Sequence, residues 1–561
     1  MRQLEVFRNR HNSWNDYRNR ANLPYSIPSC PKQLFNRLSM KQNISPLIAA
    51  MLRREFYPHN PEVELRQTHI SYVFLAGPYV YKVKKAVKFP FLDYSTLENR
   101  RHFCDEELRL NRRLAPNTYL KTVGICRAHG SFYLDEKITD PEHIVEYAVK
   151  MNRLPEDRML TSLIRDEAVK SGHIAEIAKK LAAFHKKAAI DKSARFGSPQ
   201  AIASRVRDNF RDTGPFIGRT LDESLFEKIQ DYSEAFLKEN SNLLERRVAE
   251  GHVREGHGDL RAEHVCLVND IQIFDCIEFD EALRYGDVAS EVGFLSMDLD
   301  FLGEADFSAK LESAYASAAR DPGLSTLLPF YKCYRAYVRG KVESLKSDEQ
   351  DVGEDERRQA ALQALRYFLL ATRYAKGASK PMLLIVSGIV ASGKSTVARL
   401  LSARTGFSVL ASDRMRKKLT GISLTTRARE SYQSGIYAEE FTRFTYESLL
   451  KGADDQLANG RGVIVDATFG NPQYRRVFVN LASRFNVPIL FIECRADENT
   501  IRQRLKNRRD DEHEVSDATC AVYERMRAEY RPLSEIPDSC RFEWDTGREL
   551  LSGLAKLENR F

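Results

Sequence analysis

The amino-acid sequence contains no apolar run long enough to span a membrane, and its N-terminus lacks the apolar core of a secretion signal. Its nine cysteines are odd in number and include no Cys-x-x-Cys pair, which argues against a structural zinc site and favours reduced thiols. Internal repeats and low-complexity tracts are also lacking. These absences predict a globular protein of the cytoplasm without a membrane partner.

A large excess of one charge is lacking as well. Lys and Arg number 86 and Asp and Glu number 78, so the formal net charge is only +8. This balance suits ligands that carry phosphate, but it does not by itself indicate nucleic acid. The chain of 561 residues is too long for a single hydrophobic core, so its length predicts two to four domains.

A phosphate-binding loop is the most specific pattern in the chain. An apolar strand from Met382 runs into Gly388-Ile-Val-Ala-Ser-Gly-Lys-Ser395, and a helical pattern follows. The spacing G-x-x-x-x-G-K-S lets successive backbone N–H groups surround a phosphate at a helix N-terminus. We expect Lys394 near the β- and γ-phosphates of a nucleotide and Ser395 within reach of Mg²⁺. The residues predicted to bind the nucleotide here are Gly388, Ala391, Ser392, Gly393, Lys394, Ser395 and Thr396.

Breaks in the pattern divide the chain into four parts. Residues 1–45 combine scattered arginines with Asn, Pro and Ser, so they are predicted to form a basic, mobile extension. A transit peptide is the less favoured alternative, because acidic residues occur in this segment. Residues 46–375 form the first large domain, and a linker of residues 376–381 leads to a P-loop domain of residues 382–561.

The first large domain carries a second set of residues suited to phosphate transfer. The segment His257-Gly-Asp-Leu-Arg-Ala-Glu-His264 has the spacing of a kinase catalytic loop, and Asp275 follows a short apolar strand. A kinase needs a carboxylate near the acceptor hydroxyl and ligands that hold Mg²⁺ against the phosphates. We therefore expect Asp259 to be the base and Asp275 the main metal ligand.

An ion pair that holds the α- and β-phosphates is predicted upstream. Lys82 lies in a strand pattern and Glu107 in a helical pattern, as this role requires. Lys84 or Lys85 could replace the lysine, and Glu106 could replace the glutamate.

These segments resemble the aminoglycoside and choline phosphotransferase family, kinase-like enzymes that phosphorylate small hydroxyl compounds. His257-Gly-Asp-Leu260 and Phe274-Asp-Cys-Ile-Glu-Phe-Asp280 carry the resemblance. With the P-loop domain behind them, residues 46–561 are similar to bacterial fusion proteins of a phosphotransferase-like and an ATP-binding domain. The resemblance implies a two-lobed, protein-kinase-like α+β domain followed by a parallel α/β domain, with ATP and Mg²⁺ as cofactors. His264 stands where the family usually has Asn, and imidazole is a poorer ligand than an amide oxygen for Mg²⁺, so metal affinity and identity are open.

Acidic residues in the P-loop domain follow two predicted strands. Asp413 comes after the strand of residues 407–411, and Asp466 ends the strand that begins at Gly462. Because the carboxyl ends of parallel strands face the ligand crevice, we expect Asp413 to accept a proton from the acceptor hydroxyl and Asp466 to serve the metal. Arg416 would orient an anionic acceptor. The pattern resembles polynucleotide, gluconate and shikimate kinases and the zeta-toxin group. The simpler alternative is an Asp at the end of a strand that only caps the next segment.

Two arginines in a later helical pattern suggest a lid over the transferred phosphate. Arg504 and Arg508 are four residues apart and share a helix face. Arginines on a mobile lid neutralise the charge that develops on the phosphoryl oxygens and expel water. The alternative is a solvated surface whose arginines pair with the acidic residues at 510–514.

Two other patterns are interpreted as residues packed in the core rather than as functional sites. His185 lies on an amphipathic helix and is predicted to be a packed histidine rather than a catalyst. The aromatic and basic segment of residues 330–339 is predicted to be a core-facing helix with a charged outer side, in preference to a nucleic-acid face.

The sequence thus predicts an ATP-dependent phosphotransferase with two nucleotide-binding domains in separate cores, acting on a hydroxyl of an unidentified small or phosphorylated acceptor. In one alternative only the P-loop domain is catalytic and the first domain senses or recruits, which His264 favours. In the other, the chain is a polynucleotide-end kinase, and its binding would weaken steeply as salt rises.

Overall fold

A computed structural model describes residues 45–89, 92–350, 352–377, 379–421, 438–508, 520–548, 550–558 and 560. The predicted basic extension, residues 1–45, lies outside this part of the chain except for Ser45. Among the described helices, none is both long and apolar enough to cross a bilayer. The strands are β1 (Val63–Gln67), β2 (Ser71–Ala76), β3 (Tyr79–Lys84), β4 (Lys88–Phe89), β5 (Leu92–Asp93), β6 (Tyr119–Ala128), β7 (Ser131–Asp135), β8 (Ile144–Asn152), β9 (Val253–Glu255), β10 (Val265–Cys266), β11 (Gln272–Ile273), β12 (Tyr285–Asp287), β13 (Leu383–Ser387), β14 (Ser408–Ala411), β15 (Val463–Asp466), β16 (Ile489–Arg495) and β17 (Arg541–Asp545).

The helices account for most of the remaining described residues. They are α1 (Pro46–Met51), α2 (Leu97–Asn111), α3 (Leu160–Arg165), α4 (Ser171–Lys187), α5 (Pro199–Thr213), α6 (Glu223–Glu239), α7 (Ser241–Ala249), α8 (Glu281–Arg284), α9 (Val288–Phe301), α10 (Ala305–Ala319), α11 (Leu324–Asp348), α12 (Glu354–Lys376), α13 (Lys394–Thr405), α14 (Ser412–Thr420), α15 (Glu439–Ala458), α16 (Pro472–Phe485), α17 (Glu498–Arg508), α18 (Cys520–Glu529) and α19 (Leu550–Glu558).

The first lobe is a six-stranded antiparallel sheet of order β1-β2-β3-β8-β6-β7. The turn between β2 and β3 falls at Gly77, whose φ of +59° suits a residue without a side chain. Strand β3 lies inside the sheet, between β2 and β8, and residues two apart on it point to the same face. Helix α2 begins at Thr96, whose hydroxyl accepts a hydrogen bond from the Asn99 N–H at 3.2 Å, and it packs on β6 and β8.

The second lobe is mostly helical, and two short antiparallel strand pairs position its loops. β10 pairs with β11, so His264, just before β10, lies beside Phe274, just after β11; the Phe274 N–H donates to the His264 carbonyl at 3.0 Å. β9 pairs with β12, which places the segment from Gly256 next to the start of α9. The segment that ends at His264 and the segment that begins at Phe274 therefore lie side by side.

The predicted core-facing helix of residues 330–339 lies within α11, as expected. Its charged side differs from the prediction, because Lys332 and Arg339 are also buried. Lys332 is paired with Asp300 at 2.8 Å, and Arg339 is paired with Glu343 at 2.7 Å. Buried cations need such partners, since an unpaired charge in the interior is costly.

The C-terminal half contains a five-stranded parallel sheet of order β14-β15-β13-β16-β17. Its central strand β13 is buried along its whole length, as the continuous apolar run from Met382 predicts. All five strands point the same way, so their carboxyl ends, and the loops that follow them, lie along one edge of the sheet.

The expectation of separate cores is wrong. One cluster of buried apolar residues includes Leu295 and Leu369 of the helical lobe together with Leu384 and Ile492 of the parallel sheet. The physical reason is that α12 and α13 pack against each other, so a helix of one half covers a helix of the other. The opposite face of the parallel sheet has its own cluster, which contains Ile385.

Candidate active sites

Lys82 joins two carboxylates that the sequence places far apart. Its Nζ lies 2.8 Å from Oε1 of Glu107 and 2.8 Å from Oδ1 of Asp275. The structure thus brings together the lysine of β3, the glutamate of α2 and the acid after β11. Of the other residues considered from the sequence, Glu106 pairs with Arg109 on the surface, and Lys85 lies over the ring of Tyr72.

A second, fully buried network supports this one; its lysine, Lys84, was considered from the sequence as a partner of Glu107, but its contact with Glu278 was not predicted. Lys84 Nζ lies 2.8 Å from Oε2 of Glu107 and also contacts Glu278, while the Tyr94 hydroxyl donates to Glu278 at 2.6 Å. Two signals could have found it: Lys84 shares a face of β3 with Lys82, and Glu278 closes the motif Asp-x-x-Glu.

Asp275 is held in an uncommon backbone conformation. Its φ is +64°, a region that residues with a side chain seldom occupy, and its N–H donates to the Tyr119 hydroxyl at 3.1 Å. Burial raises the pKa of its carboxyl, but the charge and hydrogen bond of Lys82 together with the nearby His264 ring outweigh burial, and the pKa is lowered to about 2. Asp275 is therefore an anion at neutral pH, as a metal ligand requires.

His264 and Asp259 lie next to this network. His264 Nδ1 is 2.7 Å from the Asp259 carbonyl oxygen, and its Nε2 lies 3.8 Å from Oδ2 of Asp275. The ring is 2% exposed and Nε2 has no hydrogen-bond partner among the described residues. The Asp259 carboxylate accepts hydrogen bonds from Arg261 at 3.2 and 3.3 Å; although burial raises its pKa, the arginine holds that pKa well below its usual range.

One carboxylate holds the predicted catalytic loop in place. Glu291 of α9 accepts a hydrogen bond from the Gly258 N–H at 2.6 Å and also contacts the His257 N–H and the His185 ring. A Cβ at Gly256 would lie 2.4 Å from a Glu291 oxygen, so any side chain there would displace this carboxylate. His185 is 3% exposed and is a packed histidine, as predicted.

The phosphate loop has the backbone conformation that its spacing predicts. Gly388, Ala391 and Gly393 have φ values of +136°, +59° and +90°. A Cβ at Gly388 would lie 2.5 Å from the Cys494 carbonyl oxygen, so a side chain there is excluded. Lys394 Nζ donates to the Ile389 carbonyl at 2.9 Å across the loop, and Ser392 and Thr396 also donate backbone hydrogen bonds within it.

Asp466 and its neighbours lie at the carboxyl edge of the parallel sheet. Burial raises the pKa of Asp466, whereas the Lys394 ammonium and a hydrogen bond from Ser395 oppose the rise. Asp413, in the first turn of α14, lies close enough to raise that pKa further. Arg416, three residues on, is buried and donates to the Thr442 hydroxyl at 3.3 Å.

Arg504 lies against the phosphate loop. It donates to the Ala391 carbonyl at 3.2 Å and to the Thr546 carbonyl at 2.6 Å. Thr546, which was missed from the sequence, donates in turn to the Ser392 carbonyl at 2.6 Å. Arg508 is the last residue of α17, and its side chain lies outside the described structure. The structure therefore connects Arg504 to the nucleotide loop through backbone carbonyls.

Among the described residues, no group of three His, Cys, Asp or Glu side chains forms a metal cage in either half. Two smaller donor sets do have suitable chemistry. Ser395 with Asp466 offers the oxygen ligands that Mg²⁺ prefers, and Asp275 with the unpartnered His264 Nε2 offers an oxygen and a nitrogen. Both sets would need oxygens from another ligand, such as phosphates, to complete a coordination shell.

Comparison with known proteins matches residues 383–533 to a family model described as an AAA domain. The uncharacterised protein Rv2004c of Mycobacterium tuberculosis (strain H37Rv) is 31% identical over 495 residues, which are 87% of this chain and 92% of that protein. Dephospho-CoA kinase of Thermus thermophilus is 32% identical over 123 residues, 21% of this chain and 53% of that enzyme. The structure of a microcompartment-associated aminopropanol kinase aligns at 13% identity with a TM-score of 0.35, over 59% of this chain and 97% of that one.

The predicted fold class is confirmed. The first sheet and helical lobe carry the lysine, glutamate and aspartate of a kinase-like domain, and a parallel sheet with a phosphate loop follows. The match with the mycobacterial protein extends over most of both chains. This chain belongs to the same family as Rv2004c.

Proposed function

We propose that the chain is an ATP-dependent kinase with two nucleotide sites, one in each half, and that it phosphorylates a hydroxyl group of a small or phosphorylated acceptor. The observation that carries the proposal is the cluster at the phosphate loop, where Ser395 donates to the buried Asp466 and where Lys394 and Asp413 lie close by. A phosphate loop, a metal-binding hydroxyl and strand-end carboxylates are the parts that phosphoryl transfer to an alcohol needs.

In the P-loop half, the loop N–H groups and Lys394 bind the β- and γ-phosphates. Ser395 and Asp466 hold Mg²⁺, which when bound neutralises charge on the phosphate oxygens. Lys394 now donates to the Ile389 carbonyl, and we propose that it exchanges this bond for the phosphates when ATP binds. The buried position of Asp466 strengthens its attraction for a cation, because little water is available to screen it.

The transfer step follows from the acids at the sheet edge. The acceptor oxygen bonds to the γ-phosphorus while the bond from that phosphorus to the β–γ bridging oxygen breaks, and ADP leaves. Asp413 accepts the hydroxyl proton, and Arg416 orients an anionic acceptor. Arg504 and Arg508 neutralise charge on the transferred group.

In the kinase-like half, we assign the residues the roles of a kinase active site in which His264 replaces one of the usual metal ligands. Lys82, held by Glu107, contacts the α- and β-phosphates, and Asp275 with His264 holds the metal. Asp259 accepts the hydroxyl proton of an acceptor bound at this second site.

A second candidate function is favoured by a specific observation. Asp259 is 7% exposed, and its carboxylate is occupied by Arg261. A base in this state must lose an arginine contact before it can accept a proton from an acceptor. In this alternative the kinase-like half binds nucleotide and acts as a module that senses a ligand or recruits the substrate. Only the P-loop half transfers phosphate.

The test uses the full chain, because the two halves share a core. The protein is incubated with γ-labelled ATP and Mg²⁺ together with a pool of small metabolites, dephospho-CoA and oligonucleotides, and the products are analysed by mass. Label in a product made by the wild type but not by Lys394→Ala supports a kinase at the P-loop. Loss of a second product in Asp259→Asn supports two transferring sites, whereas a single product insensitive to Asp259→Asn supports the alternative. Absence of any labelled product other than inorganic phosphate contradicts both.

A further inference from the structure

Two cations on α14 contact one carboxylate of the other half. Arg414 Nη2 lies 3.2 Å from Oε1 of Glu167, and Lys418 Nζ lies 3.0 Å from Oε2 of the same residue. The two cations are four residues apart and so share one face of the helix. Asp413 and Arg416 lie on another side of it, so α14 is fixed on one face and carries the proposed acceptor groups on another.

Glu167 is itself held firmly. It follows the C-terminus of α3 with a φ of +54°, and its N–H donates to the Ile164 carbonyl at 3.1 Å. The next N–H, of Ala168, donates to the Leu163 carbonyl at 2.8 Å. The carboxylate therefore extends from a fixed turn, and its position follows that of α3.

Helix α3 in turn packs on the catalytic segment of the kinase-like half. It contacts the turn of residues Ala262–His264, and Leu160 and Leu163 are buried in the same cluster as Leu260. Just before α3, the Leu267 N–H donates to the Arg158 carbonyl at 2.8 Å. A continuous set of packed residues thus runs from the catalytic segment to Glu167 and from there to α14.

Further contacts give this boundary complementary charge. Asp306 of the helical lobe lies 2.8 Å from Arg461 of the P-loop half. Glu304 is half-buried close to Arg414, whose charge partly offsets the rise in the Glu304 pKa that burial causes. Acidic residues of one half therefore face basic residues of the other along the side where the acceptor helix lies.

We propose that Glu167 is a positioning residue for the P-loop half: through Arg414 and Lys418 it fixes α14, and with it Asp413 and Arg416, against the kinase-like half. The inference rests on the proposed role of Asp413 in transfer. Through Glu167 the kinase-like half contributes to the reaction of the P-loop half, whether or not the kinase-like half is itself catalytic. The side chains of Glu167, Arg414 and Lys418 are 43% to 68% exposed, so each ion pair is weak. Loss of these pairs should therefore loosen α14 without releasing it completely.

The experiment compares hydrogen–deuterium exchange of residues 412–420 in the full chain with saturating MgADP. Glu167→Gln is expected to raise exchange in this helix about three- to tenfold, as the loss of two surface ion pairs predicts. Asp166→Asn is the matched control, because Asp166 pairs with its neighbour Arg165 at 3.1 Å and makes no ion pair with the described residues of the P-loop half. The charge-swapped variant Glu167→Arg/Arg414→Glu/Lys418→Glu is expected to restore protection.

Steady-state MgATP hydrolysis, in which water replaces the unidentified acceptor, supplies the second readout. Glu167→Gln is expected to lower kcat severalfold while KM for ATP stays unchanged, because the nucleotide loop is untouched. Any one of four results overturns the inference. These are unchanged exchange of residues 412–420 in Glu167→Gln, an equal rise in exchange in Asp166→Asn, no restored protection in the charge-swapped variant, or raised exchange with an unchanged kcat. If the wild type does not turn over ATP, the proposed function fails instead, and the exchange data alone decide whether Glu167 holds the helix.

Discussion

The Nε2 atom of His264 lies 3.8 Å from Oδ2 of Asp275 and has no hydrogen-bond partner among the described residues. A buried imidazole nitrogen left open beside an ionised carboxylate is a ligand position for a cation, because leaving it without a partner costs free energy. Nitrogen ligands suit Mn²⁺ better than Mg²⁺. The relationship therefore bears on which metal the kinase-like half uses.

The first prediction concerns this metal preference. In the full-length Lys394→Ala background, which isolates the kinase-like site, ADP should bind more tightly with Mn²⁺ than with Mg²⁺. His264→Asn should reverse that order, because an amide oxygen is a harder ligand. Calorimetric titration of ADP with each metal measures both affinities, and an identical metal preference in the two proteins would exclude His264 as a ligand.

A second prediction concerns the buried lysine of the supporting network. Lys84→Met should destabilise the protein by about 3–5 kcal/mol, because it leaves Glu278 as an uncompensated charge in the interior. Lys85→Met, one residue away and lying over the Tyr72 ring, should cost about 1 kcal/mol or less. Urea unfolding followed by circular dichroism compares the two, and equal midpoints would contradict the assigned burial.

The third prediction is a pH dependence that originates at Glu291. Burial raises the pKa of this carboxyl, but its hydrogen bond from His185 and the nearby His257 lower it from 4.5 to about 2. Because the pKa is lower in the folded protein, the stabilisation is fully present above pH 4.5 and is lost as pH falls towards 2. The shift corresponds to about 3 kcal/mol at neutral pH.

The measurement compares the free energy of unfolding of the wild type and Glu291→Gln at several pH values. The difference between them should be large at pH 7 and shrink steadily below pH 4.5. Glu239→Gln, at the exposed end of α6, serves as control. A difference that stays constant down to pH 3 would show that Glu291 acts by packing alone.

A fourth prediction separates nucleotide binding from transfer in the P-loop half. Asp413→Asn should lower acceptor phosphorylation by about a hundredfold or more while MgATP still binds, as expected for loss of a general base. Equal loss of ATP affinity would instead make Asp413 a metal or nucleotide ligand. Binding is measured by calorimetry and transfer by mass analysis of the labelled product.

Local patterns predicted those parts of the fold that depend on nearby residues. The glycine spacing and the apolar run before it predicted the loop at Gly388 and the strand β13, because a phosphate loop and a buried parallel strand each leave a continuous signal. The helix predicted for residues 330–339 corresponds to part of α11, because a helical period is also a local signal.

Contacts between distant segments could not be predicted in the same way. Glu278 meets Lys84 across 194 residues, and Thr546 meets Ser392 across 154. No periodicity links such positions, because their meeting depends on how whole elements pack. The shared core has the same cause, since an amphipathic pattern in α12 shows that one face is buried but not which helix covers it.

The central claim is that one chain holds two nucleotide sites. It is tested most directly by the stoichiometry of ADP binding to the full chain, measured by calorimetry with Mg²⁺ and then with Mn²⁺. The account predicts two sites in the wild type, of which Asp275→Ala removes one and Lys394→Ala removes the other, with Lys380→Ala as a control that keeps both. A single site with either metal, insensitive to Asp275→Ala, would contradict the account and leave the kinase-like half without a nucleotide.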